Sequence, residues 1–210
     1  MTNTFAFIQA IKGQATKDMN KYGILASLTI AQAILESGWG SSGLSKSANN
    51  LFGIKAFSSW KGAKVNLPTH EYYHGKRIEI NSYFRKYKSW GDSITDHTKL
   101  LMTKRYERII GVTDYKLVCK LIRDCGYATD ISYTTKLINI IETYKLYEYD
   151  TINKIEKVVN SMDIKVLQRW LNLNGFKDTN GDYLQEDGLL GEKTIYAKEK
   201  VKEMLNYIMK

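Results

Sequence analysis

Apolar positions recur at helical spacing from the start of the chain. Phe5, Ile8, Ile11 and Ala15 fall on one face and Gly23 supplies a stop, which predicts a helix over residues 5–22. The run 24–37 is apolar almost all round (Leu25, Leu28, Ile30, Ala31, Ala33, Ile34, Leu35), the pattern of a helix buried on most of its surface. Gly38, Gly40 and Gly43 then break it. Over 67–84 the pattern changes: Ile78, Ile80, Ser82 and Phe84 alternate, and Tyr72-Tyr73 precede the turn-like pair His74-Gly75. That is a β-hairpin signal. Helical patterns resume over residues 91–103, 114–124 and 131–148. The stretch 149–153 is the expected boundary. Beyond it, two helical patterns at 162–173 and 191–208 flank a polar loop carrying Gly175, Gly181, Gly188 and Gly191. The expectation is a mainly α protein with a small β-hairpin lobe over residues 1–150, and a small helical C-terminal domain over 151–210.

Composition agrees with two globular units. In 210 residues, 43% are hydrophobic and 25% charged, enough apolar matter for a core. No run approaches the roughly 20 apolar residues that span a bilayer, so no membrane insertion is expected. Met1-Thr2-Asn3-Thr4-Phe5 shows no basic region leading into an apolar one, so no signal peptide is visible. Cys119 and Cys125, six residues apart on a helix and its turn, would sit about 9 Å apart along the axis, too far for a disulfide. The three histidines, His70, His74 and His97, are scattered, and neither a metal site nor a cofactor is expected.

Charge narrows the partners. The net charge is +9, and residues 1–150 hold 21 Lys/Arg against 13 Asp/Glu while 151–210 hold 10 against 9. A basic surface favours a polyanion, whether nucleic acid or an anionic cell wall. Nucleic acid rests on charge alone and is set aside.

Glu36 is the one acid of the second helix. A carboxylate at the end of an apolar helix is desolvated, and the C-terminal end of the helix dipole also opposes its charge. Both effects raise its pKa, as a general acid needs. The following Ser37-Gly38-Trp39-Gly40 is expected to form a cleft wall with Trp39 offering a sugar-stacking face. The alternative is that Glu36 is simply the first exposed residue after a buried helix.

Ile30-Ala31-Gln32-Ala33-Ile34-Leu35-Glu36-Ser37-Gly38-Trp39-Gly40, followed by Ala48-Asn49-Asn50-Leu51-Phe52-Gly53-Ile54-Lys55, closely resembles the bacterial endo-β-N-acetylglucosaminidase family. That family includes flagellar muramidases, autolysins and phage endolysins. Blocks from Tyr83 to Leu101 and from Gly126 to Asp130, with Tyr133 and Lys136-Leu137, agree in the same order. The resemblance covers about residues 5–148 and implies a lysozyme-like fold. It also implies hydrolysis of peptidoglycan with Glu36 as the acid, and a second carboxylate in the β-lobe. Thr69-His70-Glu71-Tyr72 matches that position, so Glu71 is the candidate and Glu79 the runner-up. The family's tyrosine near the acid carries over to Tyr127, and Asn49, Asn50 and Phe52 are expected to line the sugar cleft. Glu71 would act as a base on water, or stabilise charge while the substrate's acetamido group attacks.

In the C-terminal part, Val166-Leu167-Gln168-Arg169-Trp170-Leu171-Asn172, then Gly175-Phe176, then Asp187-Gly188-Leu189-Leu190-Gly191-Glu192-Lys193-Thr194 resemble a small helical peptidoglycan-binding repeat. The chain departs from that pattern at Val201-Lys202-Glu203, where an aromatic-Gln pair is usual. The resemblance implies bacterial peptidoglycan as partner, with anionic wall polymers suggested by charge. It places action at the cell wall, reached from the cytoplasm by a route such as lysis, as in a phage endolysin or an autolysin. A muramidase or lytic transglycosylase on a similar fold, and a catalytically silent wall-binding module, are the alternatives.

Overall fold

The computed structural model describes residues 4–73, 76–150, 159 and 162–208, and the side chains of these apart from 70–73, 76, 202 and 205–208. Helix α1 (Thr4–Tyr22) buries Phe7, Ile8, Ile11, Ala15 and Met19, whereas Phe5, expected on the same face, is exposed in the first turn. Helix α2 (Ala26–Ser37) is buried at every position from Ala26 to Ile34. It is the central strut of the larger core, with α1, α4 (Trp90–Leu101), α5 (Tyr115–Asp124) and α6 (Tyr133–Thr143) around it. No side chain of its own first turn caps α2; the Asp150 carboxylate does so from the far end of the larger unit, accepting the Ser27 N–H at 2.9 Å. Burial there pushes the Asp150 pKa up to about 6.

The hairpin is formed by β1 (Lys64–Tyr73) and β2 (Lys76–Arg85), paired antiparallel from Lys64 opposite Arg85 to Tyr73 opposite Lys76. The His74-Gly75 turn lies outside the described residues. Pro68 is tolerated because each strand of a two-stranded sheet has an unpaired edge. The hairpin's base is wired to the helical lobe. Arg85 donates to Asp96 of α4 at 2.7 Å, the Tyr87 hydroxyl meets the same carboxylate at 2.7 Å, and the Ala56 N–H reaches the Tyr83 carbonyl at 2.8 Å.

Two elements differ from expectation. The glycine- and serine-rich stretch after α2 contains a short helix, α3 (Gly43–Ala48), whose start is capped by Ser42 accepting the Ser45 N–H. The helix expected over 131–148 stops at Thr143; Lys145 takes a left-handed conformation (φ 49°) and a 3₁₀ turn, Leu146–Tyr149, follows. Another 3₁₀ turn spans Lys104–Ile109. Both cysteines are free thiols. Among the described residues no helix is long and apolar enough to cross a membrane.

Helices α7 (Ile164–Leu173) and α8 (Glu192–Ile208) gather a second cluster: Val159, Leu167, Trp170, Leu171, Leu184, Ala197 and Val201. Gln168, buried at its centre, explains the Asp-Gly-x-x-Gly-x-x-Thr block. Its amide donates to Asp187 (2.7 Å), the Leu189 carbonyl (3.0 Å) and Thr194 (3.2 Å), and its oxygen accepts the Gly188 N–H (2.8 Å). This unit touches the larger one through Arg169 to Glu107 at 2.7 Å and Asn174 to the Gly111 carbonyl at 3.5 Å.

Candidate active site

Glu36 stands on the last turn of α2, where the chain must leave the core at once. Gly38 caps the helix in a left-handed conformation (φ 55°), its N–H returning to the Ile34 carbonyl. Trp39 (φ 61°) and Gly40 (φ 69°) continue in the same region. Gly40 is held by its N–H to the Ser37 hydroxyl at 2.7 Å. A β-carbon on Gly40 would lie 2.8 Å from both the Phe7 and Trp90 rings, so the turn is packed to the limit of glycine. Trp39 is not a sugar platform. It packs edge-on against Phe7 (6.0 Å) and Tyr144 (4.8 Å), away from the cleft.

The Glu36 carboxylate opens into a cleft of roughly 760 Å³ lined by Phe52, Phe57, Arg85, Tyr106, Tyr127, Tyr133 and Lys136 among others. It keeps solvent access through the cleft mouth. The walls nevertheless desolvate it enough to raise its pKa above the usual carboxylate range. A hydrogen bond from Tyr133 to Oε1, 2.8 Å, pulls in the opposite direction and is the smaller effect. The Tyr133 hydroxyl in turn accepts from Gln32 Nε2 at 3.2 Å. Gln32 and Glu36 are four residues apart on α2, one turn of the same face. The chain Gln32–Tyr133–Glu36 therefore fixes one carboxyl oxygen, Oε1.

Tyr127, the tyrosine that the resemblance places near the acid, lies in the same cleft, while the hydroxyl bonded to Glu36 is that of Tyr133. The Tyr127 hydroxyl meets His97 Nε2 at 3.1 Å, while its ring stacks on Tyr133 with centroids 5.9 Å apart. Tyr127 lines the cleft, and burial first, then the Glu36 charge, keeps its hydroxyl protonated. Phe52 also reaches the cleft wall. Asn49 and Asn50 do not line the cleft. Asn49 ends α3 in a left-handed conformation and donates to the Tyr87 and Lys88 carbonyls at 3.1 and 3.2 Å. Asn50 is buried, donates to the Ile54 and Arg85 carbonyls at 3.0 and 2.9 Å, and accepts the Ile54 N–H at 3.1 Å. Asn49 joins the end of α3 to the segment after the hairpin, and Asn50 joins its own loop to the hairpin's last residue. Trp60 is likewise structural, its indole N–H on the Ala63 carbonyl at 3.0 Å and the Arg85 guanidinium over its ring.

The Glu71 side chain lies outside the described residues; its backbone pairs with Ile78, and Glu79 pairs with His70. No group of three or more potential metal ligands occurs among the described residues.

The model of the family described as mannosyl-glycoprotein endo-beta-N-acetylglucosaminidase matches residues 12–146. The chain belongs to this glucosaminidase family. Among curated relatives of this chain, the exo-glucosaminidase LytG of Bacillus subtilis is 41% identical over 160 residues, covering 73% of this chain and 56% of its own. An autolysin of Enterococcus faecalis is 43% identical over 139 residues, covering 61% of this chain and 18% of its own. The chain thus spans little more than half of the one relative and less than a fifth of the other. Among solved structures, the catalytic domain of the Listeria monocytogenes autolysin Auto superposes with a TM-score of 0.65 at 37% identity, over 71% of this chain and 88% of that one. A C-terminally truncated glycoside hydrolase domain of Salmonella typhimurium FlgJ gives 0.59 at 30% identity, over 68% of this chain and 98% of that one. The larger unit has the lysozyme-like fold of these peptidoglycan hydrolase domains.

Replacing Tyr133 tests the hydrogen bond directly. A donor to the carboxylate favours its charged form, so Tyr133→Phe removes a pKa-lowering contact and Glu36 stays protonated to higher pH. The alkaline limb of the kcat/KM profile is expected to move upward while the plateau falls several-fold through lost orientation. A limb that stays in place, or moves down, contradicts the assignment.

Proposed function

We propose that the protein hydrolyses the β-1,4 bond after N-acetylglucosamine in bacterial peptidoglycan, with Glu36 as the general acid. The observation that carries this reading is a carboxyl group of raised pKa in a glycan-sized cleft, oriented by Tyr133. Family membership over residues 12–146 and relatives named glucosaminidase or peptidoglycan hydrolase support the substrate. Protonation of the glycosidic oxygen by Glu36 lets the leaving sugar depart as an alcohol. Charge on the remaining ring is then met by water that Glu71 activates, or by the substrate's own acetamido oxygen while Glu71 stabilises charge. Product stereochemistry separates the two routes: the first inverts and the second retains the anomeric configuration.

Glu71→Gln should lose most activity and Glu79→Gln should keep it, because Glu71 occupies the β-lobe position of the family pattern. Initial rates of glycan hydrolysis with both variants check this. The reverse pattern puts the second carboxylate on the other strand.

Residues 151–210 are proposed as a domain that holds the enzyme on the wall. Tyr183, Leu189 and Leu190 are exposed on the loop that Gln168 organises, a surface suited to contacts other than charge. The near balance of 10 basic and 9 acidic residues fits the same view. Binding to purified peptidoglycan should therefore persist at high salt, where exposed charges are screened within about 3 Å at 1 M. In the full-length chain, replacing Leu189 and Leu190 by Ser should release the protein from walls while preserving hydrolysis of soluble fragments. Retention of the Leu189/Leu190 variant on walls equal to that of the native chain argues for a unit that only packs against its neighbour. The basic balance of 1–150 also suits anionic wall polymers, a weaker attraction that high salt should remove.

A further inference from the structure

His97 sits behind the cleft wall, fully buried on α4 and out of contact with the cleft itself. Its ring stacks face to face on Phe52 (centroids 3.8 Å, interplanar angle 9°) and meets Tyr127 edge-on (5.8 Å, 82°). Two aromatic neighbours thus fix its plane. Nε2 lies 3.1 Å from the Tyr127 hydroxyl, and Nδ1 is buried with no hydrogen-bond partner among the described residues. Burial holds the His97 pKa down to about 3, so the ring is neutral at any ordinary pH and carries a single N–H.

Two tautomers are available. With the proton on Nδ1, a buried N–H has no acceptor, and Tyr127 must give its proton to Nε2. With the proton on Nε2, the orphan is only a bare lone pair, and Nε2–H donates to the tyrosine oxygen. An orphaned buried N–H is the rarer and costlier defect. The second arrangement is the favoured one, and it reverses the direction of the Tyr127 bond.

We propose that His97 is a positioning residue: by donating Nε2–H to the Tyr127 oxygen, it turns the tyrosine's own proton into the cleft, toward an acceptor oxygen of the bound sugar. The acetamido carbonyl is the strongest such acceptor on N-acetylglucosamine. This deepens the glycosidase reading and rests on it for the ligand, but the tautomer stands on the geometry alone. Phe52 then has two duties, as cleft wall and as the face that keeps the imidazole in plane.

The test has two arms, both on the full-length chain. In the first, ¹⁵N-histidine NMR reads the protonated nitrogen of each imidazole, with the His97 signal assigned by its loss in His97→Gln. A neutral ring protonated at Nε2 and unchanged through mildly acidic pH is expected. Protonation at Nδ1 overturns the proposal, whatever the enzyme's substrate. In the second, kcat/KM on glycan fragments is compared for His97→Gln, which keeps a side-chain N–H donor, and His97→Leu, which has none. The worth of one neutral hydrogen bond predicts a loss of about three- to tenfold for the Leu variant and recovery for Gln. The Leu substitution should add nothing further in a Tyr127→Phe background. Equal losses for Gln and Leu, or the same loss for Leu with and without the tyrosine hydroxyl, mean that His97 only fills space. Should the Leu variant fail to fold, the tautomer and the Gln variant still decide. Absence of any glycan turnover by the native chain, with the Nε2 tautomer present, defeats the glycosidase reading and leaves the His97 arrangement intact.

Discussion

Glu36→Gln is expected to lower turnover of peptidoglycan by roughly 10²- to 10⁴-fold, the contribution of a well-placed general acid. The substitution keeps shape and keeps a carbonyl oxygen to accept the Tyr133 hydrogen bond at the Oε1 position. It removes only the transferable proton. Thermal stability should therefore change little, and wall binding should survive, since the proposed binding surface lies in the C-terminal unit. The pH profile adds a second check with a definite sign. Desolvation raises the Glu36 pKa, so the acid form persists to higher pH than for an ordinary glutamate, and activity is lost as pH rises through that raised value. A variant that retains half the native rate removes Glu36 from the mechanism.

Gly40→Ala should be strongly damaging to the larger unit. A β-carbon at φ 69° would meet the Phe7 and Trp90 rings at 2.8 Å, and both rings belong to the core packing. A left-handed alanine costs about 1–2 kcal/mol and overpacking about 1–3 kcal/mol, so a loss of roughly 2–5 kcal/mol is expected. For a chain of this size that lowers Tm by about 4–20 °C. Gly43→Ala, three residues on, begins α3 with no heavy atom within 4 Å of the added carbon. It should leave Tm unchanged or slightly raised, since alanine restricts the unfolded chain more than glycine. Because Gly40 closes the turn that aims Glu36, the Gly40 variant should also lose specific activity beyond its loss of folded protein. Equal melting temperatures for the two variants would contradict the packing of this turn.

The long periodic segments were legible from sequence because their apolar spacing is set by burial. Helix α1, the all-apolar α2 and the alternating strands of the hairpin follow from that pattern alone. Glu36 was legible for the complementary reason, as a charge where an apolar helix ends. Short elements were not. In α3 the capping Ser42 was masked by neighbouring glycines that read as breakers, although its bond to the Ser45 N–H is an ordinary helix start. Side-chain contacts were less legible where backbone path decides them. Tyr127 and Tyr133 are six residues apart, and which hydroxyl reaches Glu36 depends on the loop between them. That loop is held by Asp130, which accepts from Ser132 and pairs with Lys136 at 2.7 Å. Gln32 was the available signal, a buried polar side chain one turn before the acid on the same face. Adjacent asparagines suggested sugar contacts, yet Asn49 is there because asparagine tolerates the left-handed end of α3, and Asn50 because a buried loop needs its carbonyls and N–H satisfied.

Mass spectrometry of the new reducing ends in peptidoglycan digested by the native chain tests the central claim most directly. Cleavage after N-acetylglucosamine predicts N-acetylglucosamine at every new reducing end, absent from a parallel digest with Glu36→Gln. N-acetylmuramic acid at those ends, or its anhydro form, would contradict it and make the protein a muramidase or a lytic transglycosylase.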